Sequence, residues 1–520
     1  MKLYKLITTA IILLIGVSFI SCSSEDSPLP PVIIEPEAKE VKVIDVQTLQ
    51  NAVAKATIGS VILLADGEYK DVRLIVQASG NLAMPIIVRA ENPGKVTFSG
   101  NVKVEIRGNH VSLQGIYFAN GARNFNEWKT HGPGLVAIYG DYCEIADCMF
   151  YNFDDANSAY ITTSLNKDGH VPRYANIHHC AFIGKKTLDQ VINLNNTPSK
   201  QEDGEPGIPM YHRVSYCYFS NPQKVGNAGG GIRIGYWRKD FGRCLIDNNL
   251  FERQDSEPEI ITSKSMENVF YKNTFLNCQG TLNFRHGDKQ VAISNYFYGT
   301  DTNRGYGGMF VWGSKHLIAN NYFYLPRTLS SRGNSALYFN CGPEASEHAL
   351  AFDMSVISNT FYNTAGTDLN LAALYERRVE AFGEENVGTP RDIRFVGNRF
   401  FSEQSTINPV VYDPLNVVTN QTWIGNIYNN MPSGSKEEID GLTLDADASL
   451  LYDKLKVYLE GVSRLPLTEI QKHISYKSIE GIDLDFQQLI VSDTSLFPLT
   501  RDDVGPRWSK GTLKSYTEIE

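Results

Sequence analysis

Val291-Ala292-Ile293-Ser294-Asn295-Tyr296-Phe297 is followed one unit later by Leu317-Ile318-Ala319-Asn320-Asn321-Tyr322-Phe323. Each is a short alternating run closed by Asn-x-Phe. Alternation has the two-residue period of a strand, not the 3.6-residue period of a helix. The closing motif recurs as Cys148-Met149-Phe150, Cys180-Ala181-Phe182, Cys217-Tyr218-Phe219, Asn249-Leu250-Phe251, Asn273-Thr274-Phe275, Asn359-Thr360-Phe361 and Asn398-Arg399-Phe400, with a weaker copy at Asn426-Ile427-Tyr428. Successive phenylalanines lie 22 to 39 residues apart. That interval is too uneven for propeller blades and suits a solenoid whose turns carry insertions of different length. The expected fold is all-β, a right-handed single-stranded parallel β-helix with one motif per coil. Coils stack about 4.8 Å apart, so asparagines and cysteines of one phase form a ladder at a turn, with the phenylalanines stacked beside them.

Working outward, Val46 to Thr57 has helical spacing (Val46, Leu49, Val53) and is expected to cap the N-terminal end, where a bare sheet edge invites association. The β-helix is expected over 41–430. Residues 431–520 lose the repeat and read as a mixed extension packed on the β-helix, with a short helix at Leu451 to Leu459. At the other end, Lys2 and Lys5 precede an apolar run, Ile7 to Ile20, that is too short to span a bilayer. With Ser21-Cys22 and a polar stretch after it, 1–21 reads as a lipoprotein signal peptide and Cys22 as the lipidated residue; ordinary cleavage with Cys22 incidental is the alternative. Residues 22–40, rich in Pro and Glu, read as a flexible stalk. The expected location is outside the cytoplasm, lipid-anchored at the outer membrane, cell surface or periplasm, with no other membrane contact. Of the 8 cysteines, those after Cys22 are odd in number and lack metal-site spacing, so they read mostly as buried thiols. A net charge of −10 argues against a nucleic-acid partner, while leaving room for a polyanion in a cleft lined with arginine. A monomer is expected.

Coil phase also marks chemistry. Asn227 follows Phe219, and Glu259 follows Phe251, by the same eight residues, with Glu257 on the same strand face as Glu259. Two carboxylates and an amide oxygen suit calcium. Lys264 lies on the same coil, and Arg285 on the next. The competing reading is a surface salt-bridge network of Glu257, Glu259, Lys264 and Arg285.

The stretches Glu257-Pro258-Glu259-Ile260-Ile261-Thr262-Ser263-Lys264-Ser265 and Asn283-Phe284-Arg285-His286-Gly287 resemble the active-site signature of polysaccharide lyase family six. Within it the chain is most similar to the dermatan sulfate lyases, in order over roughly residues 45 to 430, through Trp128 to Gly134, Asn157 to Ser164, Asn227 to Tyr236, Gly308 to Gly313 and Ala345 to Asp353. The resemblance implies a calcium-assisted lyase of dermatan sulfate. It implies Asn227, Glu257 and Glu259 as calcium ligands, Lys264 as base, and Arg285 as charge stabiliser and acid. It further implies substrate contacts from His131, Tyr236, His286, Trp312, Arg332, Glu347, Arg377 and Arg378. The residues themselves allow blander roles: His286 as support, Trp312 and Tyr236 as packing under loops, Arg377-Arg378 as a solvated face. One departure stands at Asn195-Asn196-Thr197-Pro198-Ser199-Lys200, where the family has an arginine after Asn-Asn-Thr; the contact is lost or supplied by Lys200.

Three other readings compete. An alginate lyase of the same family would use the same machinery on an unsulfated polymer, against which the arginines at 332, 377 and 378 speak. A non-catalytic glycan-binding β-helix would not need Lys264 and Arg285. A glycoside hydrolase would need paired carboxylates, and Asp154-Asp155, neighbours on an extended strand, point to opposite faces.

Overall fold

The computed structural model describes residues 39–123, 134–165, 168–196, 207–222, 229–327, 335–344, 348–434, 438–446, 451–453, 456–458, 465–492, 495–496 and 498–519, with backbone alone for 451–453, 456–458, 491–492 and 495–496. The leader and all but the end of the stalk lie outside them.

The alternating runs form strands of three parallel sheets, of 15, 14 and 12 strands. One coil runs Val269–Tyr271 in the first sheet, Thr274–Leu276 in the second and Thr281–Phe284 in the third; the next runs Val291–Ile293, Tyr296–Tyr298, Met309–Val311. Each strand pairs in parallel with its counterpart on the neighbouring coils. This is the expected right-handed parallel β-helix.

The motif does what its composition suggests. Phe150, Phe182, Phe219, Phe251 and Phe275 stand in register and stack inside the second sheet, with ring centroids 4.5 to 5.2 Å apart. Beside them the asparagines form a buried ladder. Asn295 Nδ2 donates to Phe270 O at 2.9 Å and to Asn321 Oδ1 at 3.0 Å, while its own Oδ1 accepts from Asn273 N and Nδ2, both at 3.0 Å. The pattern repeats from Asn249 to Asn426, so these amides leave the turn backbone satisfied without water. Cys148, Cys180 and Cys217 take the same phase on earlier coils, and all seven described cysteines are free and buried.

At the N-terminal end a helix spans Val46–Ala54, shorter than the expected Val46 to Thr57. Asp45 caps it, its carboxylate accepting from Thr48 N at 2.7 Å while Thr48 Oγ1 accepts from Asp45 N. Leu49 and Val53 enter the core. At the other end the ladder does not stop at Tyr428: Leu442–Leu444 pairs with Asn426–Tyr428 and adds a rung beyond residue 430. The helix expected at Leu451 to Leu459 is instead an antiparallel pair, Leu451–Asp453 with Lys456–Tyr458. So short a window cannot nucleate a helix unaided, and Tyr452, Val457 and Tyr458 favour extended backbone.

The last segment lies along the exterior. Ile470, Ile474, Ile479, Ile482, Phe486 and Ile490 cover the outer face of the first sheet against Val269, Val291, Ile293 and Leu317. Val504, Trp508 and Leu513 cover the second sheet against Met149, Tyr218 and Leu250. Polar ties accompany this packing, among them Arg501 with both oxygens of Glu252 at 2.6 Å and Trp508 Nε1 with Asp147 O at 2.8 Å. The tail thus covers part of the outer faces of those two sheets, and the chemistry-bearing residues gather on the outer face of the third.

Candidate active site

Along the outer face of the third sheet, Asn193, Arg233, Thr262, Asn283, Phe310 and Tyr338 stand in one register column. Lys264, Arg285 and Trp312 follow just past three neighbouring strands, Glu259–Ser263, Thr281–Phe284 and Met309–Val311.

Strict alternation would turn Glu259 away from Thr262 and Lys264. A bulge resolves this: Glu259 pairs with Thr281 and Ile261 with Leu282, so one residue is left over. Ile260 and Ile261 then both enter the core, and Glu259 comes round to the outer face. There Glu259 Oε2 accepts from Thr262 Oγ1 at 3.0 Å, and Oε1 lies 3.7 Å from Arg285 Nε. Glu257 Oε2 accepts from Gly229 N at 2.8 Å and Gly230 N at 3.0 Å. A Cβ at Gly230 would strike the carbonyl of Glu259, so only glycine lets the backbone pass this close to the two carboxylates.

Lys264 is half-buried, its Nζ 5.3 Å from the Tyr236 ring centre. Burial pushes its pKa below the usual lysine value; Arg233 and Arg285 push the same way, against Glu259 and Glu257. A lysine so placed sheds its proton more readily than one in water, which is what a base requires. Arg285 lies over Trp312, its guanidinium carbon 3.7 Å from the ring centre, and Arg378 lies over the same ring at 5.0 Å. Burial, then Arg285 and Arg377, push Arg378 down to about 10. His348, with its ring 5.2 Å from Trp312, is pushed down to about 4 by burial and then by Arg378, Arg285 and Arg377. Such crowding of like charge gives this end of the face a positive field.

The structure thus brings together Glu257, Glu259, Lys264, Arg285, Tyr236, Trp312 and Arg378. Trp312, expected as a substrate contact or as packing under loops, is 3% exposed and carries the guanidinium groups of Arg285 and Arg378 on its ring. Arg377 and Arg378 part company because they lie on a helix, Tyr375–Phe382, where neighbours point about 100° apart. Arg378 turns to the sheet and donates to Asn340 Oδ1 at 3.3 Å, and Arg377 is exposed. His286 is 8% exposed beside Arg285. His131, Asn227, Arg332, Glu347, Ser199 and Lys200 lie outside the described residues. Asp155, of the pair weighed for hydrolysis, is fully buried with Lys185 Nζ at 2.9 Å. Sequence reasoning missed Arg233, His348 and Asn283. Arg233 was findable, standing between Ile232 and Ile234 in the outward phase of its strand; His348 comes from a long insertion without periodicity.

A model of the chondroitinase B family matches residues 43–485. The chain belongs to the chondroitinase B family. No curated protein matches it. Among solved structures it is similar to a variant of the family-six alginate lyase AlyGC, with TM-score 0.70 and 20% identity, over 91% of this chain and 59% of that one. It is also similar to a mannuronic acid specific family-six lyase from human gut microbiota (TM-score 0.64, 21% identity, 79% of this chain and 92% of that). A third is a family-six polysaccharide lyase from Pseudopedobacter saltans (TM-score 0.59, 20% identity, 90% and 99%). At these identities the likeness is one of fold, and the chain spans only 59% of the length of AlyGC.

The family bears on a cation. Among the described residues no three His, Cys, Asp or Glu side chains converge for a metal. The two carboxylates, held by backbone amides and a threonine hydroxyl beside a glycine cradle, are nonetheless hard oxygen donors of the kind calcium takes. The donor set fits.

Proposed function

We propose that this chondroitinase B family member is a carbon-oxygen lyase that cleaves dermatan sulfate by β-elimination at the uronate. The observation that carries the reading is Lys264, with its proton loosened by burial and by Arg233, facing the same patch as Arg285 and Glu259. Neutral Lys264 takes the proton beside the uronate carboxylate. The electron pair left behind forms the new ring double bond, the bond to the glycosidic oxygen breaks, and Arg285 stabilises the charge and acts as the acid toward the leaving oxygen. Glu257 and Glu259, with Asn227, would hold calcium, whose contribution when bound is to neutralise the carboxylate charge that opposes loss of that proton.

The choice of a sulfated polymer rests on Arg378, Arg285 and Arg377 crowding one end of the face, more cationic charge than elimination needs. Alginate is the second reading, favoured by the names of the structural neighbours. Assay of unsaturated product on dermatan sulfate, chondroitin sulfate A and alginate in parallel separates them: the reading expects fastest turnover on dermatan sulfate. Faster turnover on alginate overturns the substrate, and no product on any polymer returns the chain to a glycan-binding role. Exhaustive chelation should abolish turnover and calcium restore it; full activity after chelation removes the metal. Export with a lipid at Cys22 belongs to the same proposal, and loss of membrane-fraction recovery in Cys22→Ser tests it.

A further inference from the structure

One residue before the first-sheet strands Val269–Tyr271, Val291–Ile293 and Leu317–Ala319, the chain places an inward side chain at the turn from the third sheet. On three successive coils that side chain is polar and fully enclosed: Asn268, Gln290 and His316, exposed 0%, 0% and 1%. Each reaches back to the turn that carries a residue of the candidate site. Asn268 Nδ2 donates to Ser263 Oγ, Ser265 O and Ser265 Oγ, all at 3.0 Å, on either side of Lys264. Gln290 Nε2 donates to the carbonyl of His286, beside Arg285, at 2.7 Å. His316 Nε2 lies 2.8 Å from the carbonyl of Trp312.

These bonds connect across coils. Gln290 N donates to His316 Nδ1 at 3.0 Å, which leaves the proton of the neutral ring on Nε2, aimed at Trp312 O. Burial pushes His316 down to about 4, so this tautomer holds through neutral pH. Arg285 N and His286 N donate to Ser263 O at 2.8 and 2.9 Å, tying the second turn to the first. At Gly287, with φ +82, a Cβ would lie 2.5 Å from the backbone of Ser265, so the two turns are packed as close as backbone allows.

We propose that Asn268, Gln290 and His316 are positioning residues, an internal clamp that fixes the backbone of three turns so that Lys264, Arg285 and Trp312 keep their mutual spacing. The inference rests on the proposed roles of Lys264 and Arg285. It predicts specificity of effect, because a buried histidine of the same phase lacks the second bond. His212 Nδ1 accepts from Ala175 N at 3.0 Å, it is 1% exposed, and its Nε2 has no hydrogen-bond partner among the described residues.

The experiment compares kcat, KM and melting temperature of the full chain for His316→Leu, Gln290→Met and His212→Leu, with Lys264→Ala alongside and dermatan sulfate as probe (or whichever of the three polymers the wild type turns over). Small displacements of reacting groups cost up to about a hundredfold in rate. The clamp therefore expects His316→Leu and Gln290→Met to lose about tenfold or more in kcat with KM little changed. His212→Leu should keep kcat within about twofold for a comparable loss of melting temperature. His316→Gln, which can still donate to a carbonyl, should recover part of the loss. If His316→Leu does not fold, Gln290→Met decides. A kcat loss in the folded variants among His316→Leu and Gln290→Met no greater than in His212→Leu overturns the clamp, while normal turnover by Lys264→Ala overturns the reading beneath it.

Discussion

Asn295 and Asn283 are asparagines of neighbouring coils, each 0% exposed. Asn295, in the ladder at the second sheet, donates to two carbonyl oxygens and accepts from two nitrogens. Asn283, on the third sheet between Thr262 and Phe310, has neither side-chain atom hydrogen-bonded among the described residues. Nor is it alone. Asn193 Oδ1, Arg233 Nε, Trp312 Nε1 and Arg378 Nε also lack partners there. A buried donor or acceptor left unmade costs about 1 to 3 kcal/mol. The ladder amides satisfy one another and the backbone internally, whereas Asn283 and its neighbours hold unpartnered polar atoms along the outer face of the third sheet. The contrast separates residues that specify the fold from residues that wait for a polar ligand.

The largest effect should come from the reactive pair. Lys264→Ala and Arg285→Ala should each lower turnover by about a hundredfold or more, the scale of a lost acid-base or charge-stabilising group. Melting temperatures should hardly move, since neither residue belongs to the ladder. Near-normal turnover by either folded variant would remove that residue from its role.

Next in size is the ladder itself. Asn295→Ala strands the N–H groups of Asn273 and opens a cavity, so unfolding free energy should fall by about 3 kcal/mol, while kcat of the protein that remains folded stays as it was. Denaturant titration measures the first and stopped assays at low temperature the second. Asn283→Leu inverts the pattern: it removes an unpartnered amide, so stability should hold or rise by about 1 kcal/mol while kcat/KM drops. Equal destabilisation by the two substitutions would erase the distinction between the two faces.

What was legible in the sequence follows the same division. Asn249 to Asn426 and their phenylalanines could be read because each coil restates the same local requirement, a buried amide bridging two backbones beside a stacked ring. Glu259, Lys264 and Arg285 were reachable through coil phase, though the bulge that turns Glu259 outward leaves no mark in an alternating pattern. His348 and Arg378 meet Trp312 through an insertion and a helix whose placement depends on the finished stack, and no spacing rule reaches them. The engagement of Trp312 with Arg285 and Arg378 likewise comes from the stack and not from spacing. The pair at Leu451 to Leu459 was misjudged because a window of that length carries too few turns for periodicity to outweigh residue preference.

The smallest expected effect is the most direct probe of how the two faces differ, because it asks what a partly unpaired cation does to its neighbour. Burial is the first cause of the lowered pKa of Lys264, and Arg233 the second, opposed by Glu259. Below its folded pKa the lysine is charged in both folded and unfolded chain, and the folded state bears the full cost of that buried charge. The cost is relieved as pH rises through the folded pKa and is gone above the ordinary lysine value. Catalysis follows the same titration, since only neutral Lys264 accepts a proton, so the rate climbs with pH through the folded pKa. Arg233→Gln removes one of the downward influences and should move that rising limb to higher pH. If Arg233 also touches the substrate, its loss lowers the whole curve, and the two effects remain separable: a lost contact moves the profile vertically, a raised base pKa moves it sideways. A profile of kcat against pH that drops without sliding would mean that Arg233 serves binding alone and that burial by itself tunes Lys264.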